Sequence, residues 1–152
     1  NKFLNDYMMV ATADLRKCLG RGRIPHSPEI EFGICADVLS IVENPEGVLE
    51  NIRKSMVDSG ILLVTLQDVR DETCGDGVRM DDLSKHGLWE TYQQEDMGFR
   101  FFQEAGVCEL IKQTKWKIRR MEPFERDDPP HFQRLKVHKH HYWGLELENS
   151  SS

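Results

Sequence analysis

The sequence predicts an α/β fold, built as a parallel βαβ unit followed by an antiparallel C-terminal hairpin. Three observations carry this. Two continuous apolar runs, Phe32 to Val42 and Ile61 to Leu66, read as strands, the first with the character of a strand covered on both faces. Between them, Asn44-Pro45 opens a segment in which Val48, Leu49, Ile52 and Met56 recur at helical spacing. Towards the C-terminus, two long stretches with partial alternation flank a turn at Asp127-Asp-Pro-Pro130, the pattern of an antiparallel pair.

Taken in order, Tyr7-Met-Met-Val10 reads as a short strand entering Ala11-Thr-Ala-Asp14. Leu15 to Pro28 is loop-like, punctuated by Gly20, Gly22, Pro25 and Pro28, and Arg16, Lys17, Arg21 and Arg23 make it basic. Asn44 is a favourable N-cap, and Pro45 sits at the first helical position, where its missing N–H costs nothing. Gly60 permits the turn out of the helix. A strand, a helix of about three turns and a strand imply parallel neighbours joined by a right-handed crossover. Asp68 to Trp89 is a long acidic connection, of the kind used as a lid or substrate loop. Gln93 to Ala105 reads as a second helix, with Met97 and Phe101 one turn apart, Phe99 and Phe102 likewise, and Gly106 as its stop. Leu110-Ile111 and the alternating Trp116-Lys-Ile118-Arg lead to the turn, and Leu135 to Leu147 forms the last strand. One domain is expected over residues 1–148, with 149–152 as a disordered tail.

The 152 residues are 39% hydrophobic and 30% charged, an ordinary globular composition long enough for a real core. The formal charge of −6 argues against nucleic acid as a partner. No run is long enough to span a bilayer and no signal peptide opens the chain, so an intracellular, cytoplasmic or nuclear protein is expected. Asn1 in place of Met is what a processed or truncated product shows. The four cysteines, Cys18, Cys35, Cys74 and Cys108, have no metal or redox spacing, and Cys35 reads as a small buried hydrophobe.

The ordered set of motifs resembles the second half of a class I S-adenosylmethionine-dependent methyltransferase. Phe32-Gly-Ile-Cys-Ala-Asp-Val-Leu39 is similar to that family's fourth-strand motif, Asn44-Pro-Glu-Gly-Val-Leu49 to its Asp-Pro-Glu helix start, and Asp58-Ser-Gly-Ile-Leu-Leu-Val-Thr65 to its fifth strand. His86-Gly-Leu-Trp89, Glu95-Asp-Met97 and Glu104-Ala-Gly106 resemble its lid and the last helix before strand six. Ala13-Asp14-Leu15 resembles its adenine-contacting acidic motif. The resemblance implies the C-terminal half of a Rossmann-like sheet and S-adenosylmethionine as cofactor. It also implies a small-molecule or protein methyl acceptor. The glycine-rich turn after strand one and the ribose-binding acid after strand two are not found in this sequence. Gly33 stands where an aspartate is usual, and Ser40-Ile41 where Glu-His is common. A catalytically inactive methyltransferase-like scaffold, or a subunit of a larger complex, is therefore the second reading, and another doubly wound nucleotide-binding domain the third.

On the resemblance, Asp14, Leu15, Ala36, Asp37 and Val38 are the cofactor-contacting candidates, and Leu39, His86 and Trp89 the substrate-contacting ones. Asp37 interrupts an apolar run, so its carboxylate must be paired or face a crevice. His138 and His140 would share a strand face, but no cysteine or carboxylate set stands near them in sequence, and they read as exposed or interface histidines, with no metal. An open sheet edge left by the missing strands would call for a protein partner.

Overall fold

The computed structural model describes residues 30–130 and 135–150. The expected strand at Tyr7–Val10, the basic loop, and the candidates Asp14 and Leu15 lie outside the described residues.

Among the described residues, the main sheet holds four strands. β1 (Ile30–Cys35) is followed by helix α1 (Pro45–Ser55) and then β2 (Met56–Gln67). β6 (Trp116–Asp128) and β7 (His138–Asn149) form the C-terminal hairpin. Their order is β1-β2-β7-β6, with β1 parallel to β2 and β7 antiparallel to both its neighbours. The βαβ unit and the hairpin are thus as expected, and the last strand inserts between β2 and β6.

Local chemistry explains α1. The Asn44 side chain accepts a hydrogen bond from the Gly47 N–H at 2.8 Å, and Val48 and Leu49 enter the core. Met56 is also buried, but as the first residue of β2. Gly60 does not make the turn out of the helix. It lies within β2, where a Cβ would stand 2.9 Å from the Val57 carbonyl oxygen and 3.2 Å from that of Ile30. Ser59, at φ 63°, takes the left-handed conformation instead.

β1 is shorter than expected: the chain leaves the strand after Cys35, and Ala36 to Leu39 form the loop at its carboxyl end. Nor is it covered on both faces. Phe32 and Ile34 are 55% and 69% exposed, on a sheet face shared with Leu63. The opposite face carries the core, in which Leu62, Val64, Leu66, Trp143, Leu145 and Leu147 pack with Val48 and Leu49 of α1.

The expected helix over Gln93–Ala105 is instead a β-hairpin. β3 (Val78–Arg79), β4 (Trp89–Gln94) and β5 (Met97–Phe102) form a small antiparallel sheet, and a turn at Glu95-Asp96, with Glu95 at φ 51°, joins the last two. The aromatic residues suit paired strands. Tyr92 meets Phe101 edge-on at 6.0 Å between centroids, and Trp89 lies 5.9 Å from Phe102. The second helix, α2 (Glu104–Lys112), begins where the expected one ended and takes up Leu110 and Ile111. Gly106 is inside it, buried against the Leu88 carbonyl. The connection from Asp68 to Trp89 is not uniformly solvated, because Asp68 and Asp71 are buried. Asn149 is no tail residue: it ends β7, and its Nδ2 donates to the carbonyls of Met56 and Val57, both at 3.0 Å. No helix among the described residues is long and apolar enough to cross a membrane.

Candidate functional site

In an open sheet with parallel strands, ligands collect at the carboxyl ends of those strands. Here that edge is formed by the loop after β1 and the last residues of β2. The loop is held by side chains rather than by regular structure. Asp37 takes φ 57°, its N–H donates to Thr65 Oγ1, and the Thr65 hydroxyl donates to Asp37 Oδ1, each at 2.9 Å. The carboxylate expected to be paired or to face a crevice is thus paired with Thr65. Ser40 is buried and ties three elements together. Its Oγ accepts from the Gln67 N–H at 2.9 Å, and its carbonyl accepts from the Arg100 N–H at 2.7 Å. The small sheet is thereby fastened to the loop after β1.

Of the expected contact residues, Ala36 is exposed and Asp37 and Val38 are half-buried at this edge. Leu39 is fully buried in the core and has no surface to offer a substrate. His86 stands exposed beside Gly87 in the turn before β4. Trp89 packs on the core, and its Nε1–H donates to the Leu83 carbonyl at 2.9 Å, so its role is that of an anchor for the small sheet. The guanidinium of Arg100 lies 5.7 Å from the Trp89 ring centroid, and burial pulls its pKa down. Cys35 is buried, its thiol pushed up to about 12, and burial raises the Cys74 thiol to about 11, so neither is an activated nucleophile.

Sequence reasoning did not single out Thr65, Gln67 or Asp71. Gln67 Oε1 is buried and without a hydrogen-bond partner among the described residues. It projects from the face of β2 that carries Thr65. Alternation along Ile61–Gln67 would have placed Thr65 and Gln67 together on that face. The histidines also differ from expectation. His138 is buried, His140 is largely so, and His140 Nδ1 lies 3.0 Å from the buried carboxylate of Asp71.

A parallel pair extended by an antiparallel pair whose last strand inserts next to the parallel strands is the C-terminal half of the class I S-adenosylmethionine-dependent methyltransferase sheet. Comparison with solved structures gives the same fold. A 1,6-didemethyltoxoflavin-N1-methyltransferase of Burkholderia thailandensis, solved with 1,6-didemethyltoxoflavin and S-adenosylhomocysteine bound, matches over 80% of this chain and 44% of its own, at 11% identity and TM-score 0.54. A SAM-dependent methyltransferase of Methanosarcina mazei matches over 86% and 66%, at 9% identity and TM-score 0.57. A S-adenosylmethionine-dependent methyltransferase of Clostridium acetobutylicum matches over 88% and 63%, at 8% identity and TM-score 0.52. The chain thus spans between 44% and 66% of the length of these structures. No family model and no curated protein matches the sequence.

Ala36 is thus the exposed residue of this loop, and the buried, orphaned Gln67 Oε1 lies near the same end of the sheet.

Proposed function

We propose that this chain is the C-terminal half of a methyl-transferring domain that moves a methyl group from S-adenosylmethionine to a small-molecule or protein acceptor. The observation that carries this is the partly exposed loop Ala36–Val38, fixed by Thr65 at the carboxyl edge of two parallel strands. When bound, the cofactor supplies an electrophilic methyl on a sulfonium. The protein's task is to hold donor and acceptor in line and to exclude water, which calls for a shaped edge rather than a catalytic dyad. Ala36, Asp37 and Val38 would form the cofactor wall. Thr65 keeps their backbone in its left-handed turn, and the small sheet β3-β4-β5 stands beside this edge as the cover of the acceptor site.

One observation favours the alternative of a methyltransferase-like scaffold. Phe32, Ile34 and Leu63 expose an apolar row on one sheet face, and β1 is an edge strand among the described residues. A protein segment pairing with β1 would complete the edge in either reading. Calorimetric titration of the full-length protein with S-adenosylmethionine separates the two. Saturable binding that weakens in Thr65→Val, with folding retained, supports the enzyme. Absence of binding by the full-length protein overturns it in favour of the scaffold.

A further inference from the structure

We propose that His138, His140 and Asp128 form a binding site for a divalent transition cation of the zinc class, with Asp71 orienting His140. His138 and His140 alternate along β7 on one sheet face, and Asp128 of β6 is the register partner of His138. Their ligand atoms lie within 4.8 Å of one another. His138 Nε2 and His140 Nε2 are 3.1 Å apart, and His140 Nε2 is 3.5 Å from Asp128 Oδ2. With metal–ligand bonds of about 2.0–2.2 Å, tetrahedral coordination places neighbouring donors about 3.3 Å apart. His140 is therefore already at coordination spacing from both His138 and Asp128.

The outward-facing nitrogens are each held by an acceptor. His140 Nδ1 faces Asp71 Oδ2 at 3.0 Å, and His138 Nδ1 faces the Lys136 carbonyl at 3.3 Å. Both partners are acceptors, so each Nδ1 is occupied as a donor and the Nε2 atoms are turned towards each other and towards Asp128. A carboxylate or carbonyl behind each imidazole is the outer-shell arrangement that metal-binding histidines use. Asp71 is itself buried and held by the N–H groups of His141 and Thr73, at 2.9 and 2.8 Å, so His140 has a fixed backing. Two imidazoles and one carboxylate suit zinc-class ions over magnesium or calcium. A groove lined by Glu72, Lys136 and His138 borders the site on the His138 side. β7 runs antiparallel to β2, so the site lies on the same edge of the sheet as the Asp37 loop. It does not depend on the methyltransferase reading.

The test uses the untagged, metal-stripped full chain. Cobalt(II) alone is followed by its visible absorption, zinc(II) alone by competition with a chromophoric chelator, and magnesium(II) serves as the hard-cation control. One equivalent of cobalt with a low-symmetry, four- or five-coordinate spectrum is expected, together with displacement by zinc and indifference to magnesium. His140→Gln and Asp128→Asn should weaken zinc by about tenfold or more, and Asp71→Asn by about ten- to a hundredfold. His141→Ala, altered on the opposite face of β7, should bind as the parent does. Asp128 lies on an edge strand, and its near-isosteric replacement, checked by circular dichroism, keeps the test independent of folding. Zinc binding unchanged in both His140→Gln and Asp128→Asn overturns the proposal. So does absence of binding by the parent, with a proton on His140 Nε2 found by nitrogen-15 NMR, since a shared proton would then be the positive centre.

Discussion

Gly106→Ala sets two physical effects against each other. Gly106 lies in the first turn of α2, where the helix passes over the Leu88 carbonyl. A Cβ would overlap that carbonyl oxygen and stand 2.6 Å from its carbon and 3.1 Å from the Leu88 Cα. All three are backbone atoms, so helix and turn must separate by about 1 Å in an interior packed like a crystal. The same oxygen accepts from the Gln103 N–H at 2.8 Å at the start of α2, and separation breaks that bond. Overpacking costs about 1–3 kcal/mol, and a buried donor or acceptor left unsatisfied costs about 1–3 kcal/mol more. Alanine returns about 1 kcal/mol of helix propensity. The net loss is then about 3 kcal/mol, which for a chain of this length lowers the thermal midpoint by roughly 6–12 °C. Thermal unfolding followed by circular dichroism, with urea unfolding alongside, measures it. A variant as stable as the parent, or more stable, would show that propensity governs the site, and the close approach of α2 to Leu88 would be wrong.

Ser40→Ala removes the acceptor for the Gln67 N–H and should cost about 1–3 kcal/mol in urea unfolding; a change indistinguishable from zero would mean that the loop is held by other contacts. Asn149→Ala strips two carbonyls, those of Met56 and Val57, of their side-chain donor and should cost a similar amount, about 1–3 kcal/mol, measured the same way. Cys35 makes stability fall with alkali. Its thiol is raised from 9.0 to about 12 in the folded state, so the unfolded chain loses its proton first. The contribution is intact below pH 9 and is lost as pH rises towards 12, reaching roughly 4 kcal/mol. Urea midpoints at successive pH values should fall less steeply in Cys35→Ala; equal slopes would place the alkaline loss elsewhere. Tyr142, also raised to about 12, keeps a smaller slope in the variant.

The parts legible in the sequence were those whose causes are local. Asn44 and Pro45 start α1 within one turn of chain, and the apolar run at Ile61–Leu66 needs no distant partner to be read as a strand. β4 and β5 were illegible because aromatic residues three and four apart fit a helical face as well as paired strands. Their turn, moreover, puts Glu95 in the left-handed region without the usual glycine or asparagine. Gly106 reads as a stop until Leu88, distant in sequence, is placed against it. At the candidate site, the strand β1 was visible in the sequence, whereas its early end after Cys35, the burial of Leu39 and the anchoring of Trp89 depend on packing. The pairing of Asp71 with His140 joins residues 69 apart, which no window on the sequence contains.

The position of β7 governs how this molecule comes to be folded. β6 has no pairing with β2 of its own, so the hairpin can join the parallel strands only through the last strand, which pairs Ile61 with Glu148 and Trp116 with Asn149. The two halves of the sheet therefore join only when β7 pairs with β2, and the long loop this closes makes it a slow, non-local step. Loss of this one strand pairing parts the two halves of the sheet, so Leu145→Pro, opposite Val64, should unfold the molecule rather than merely weaken it.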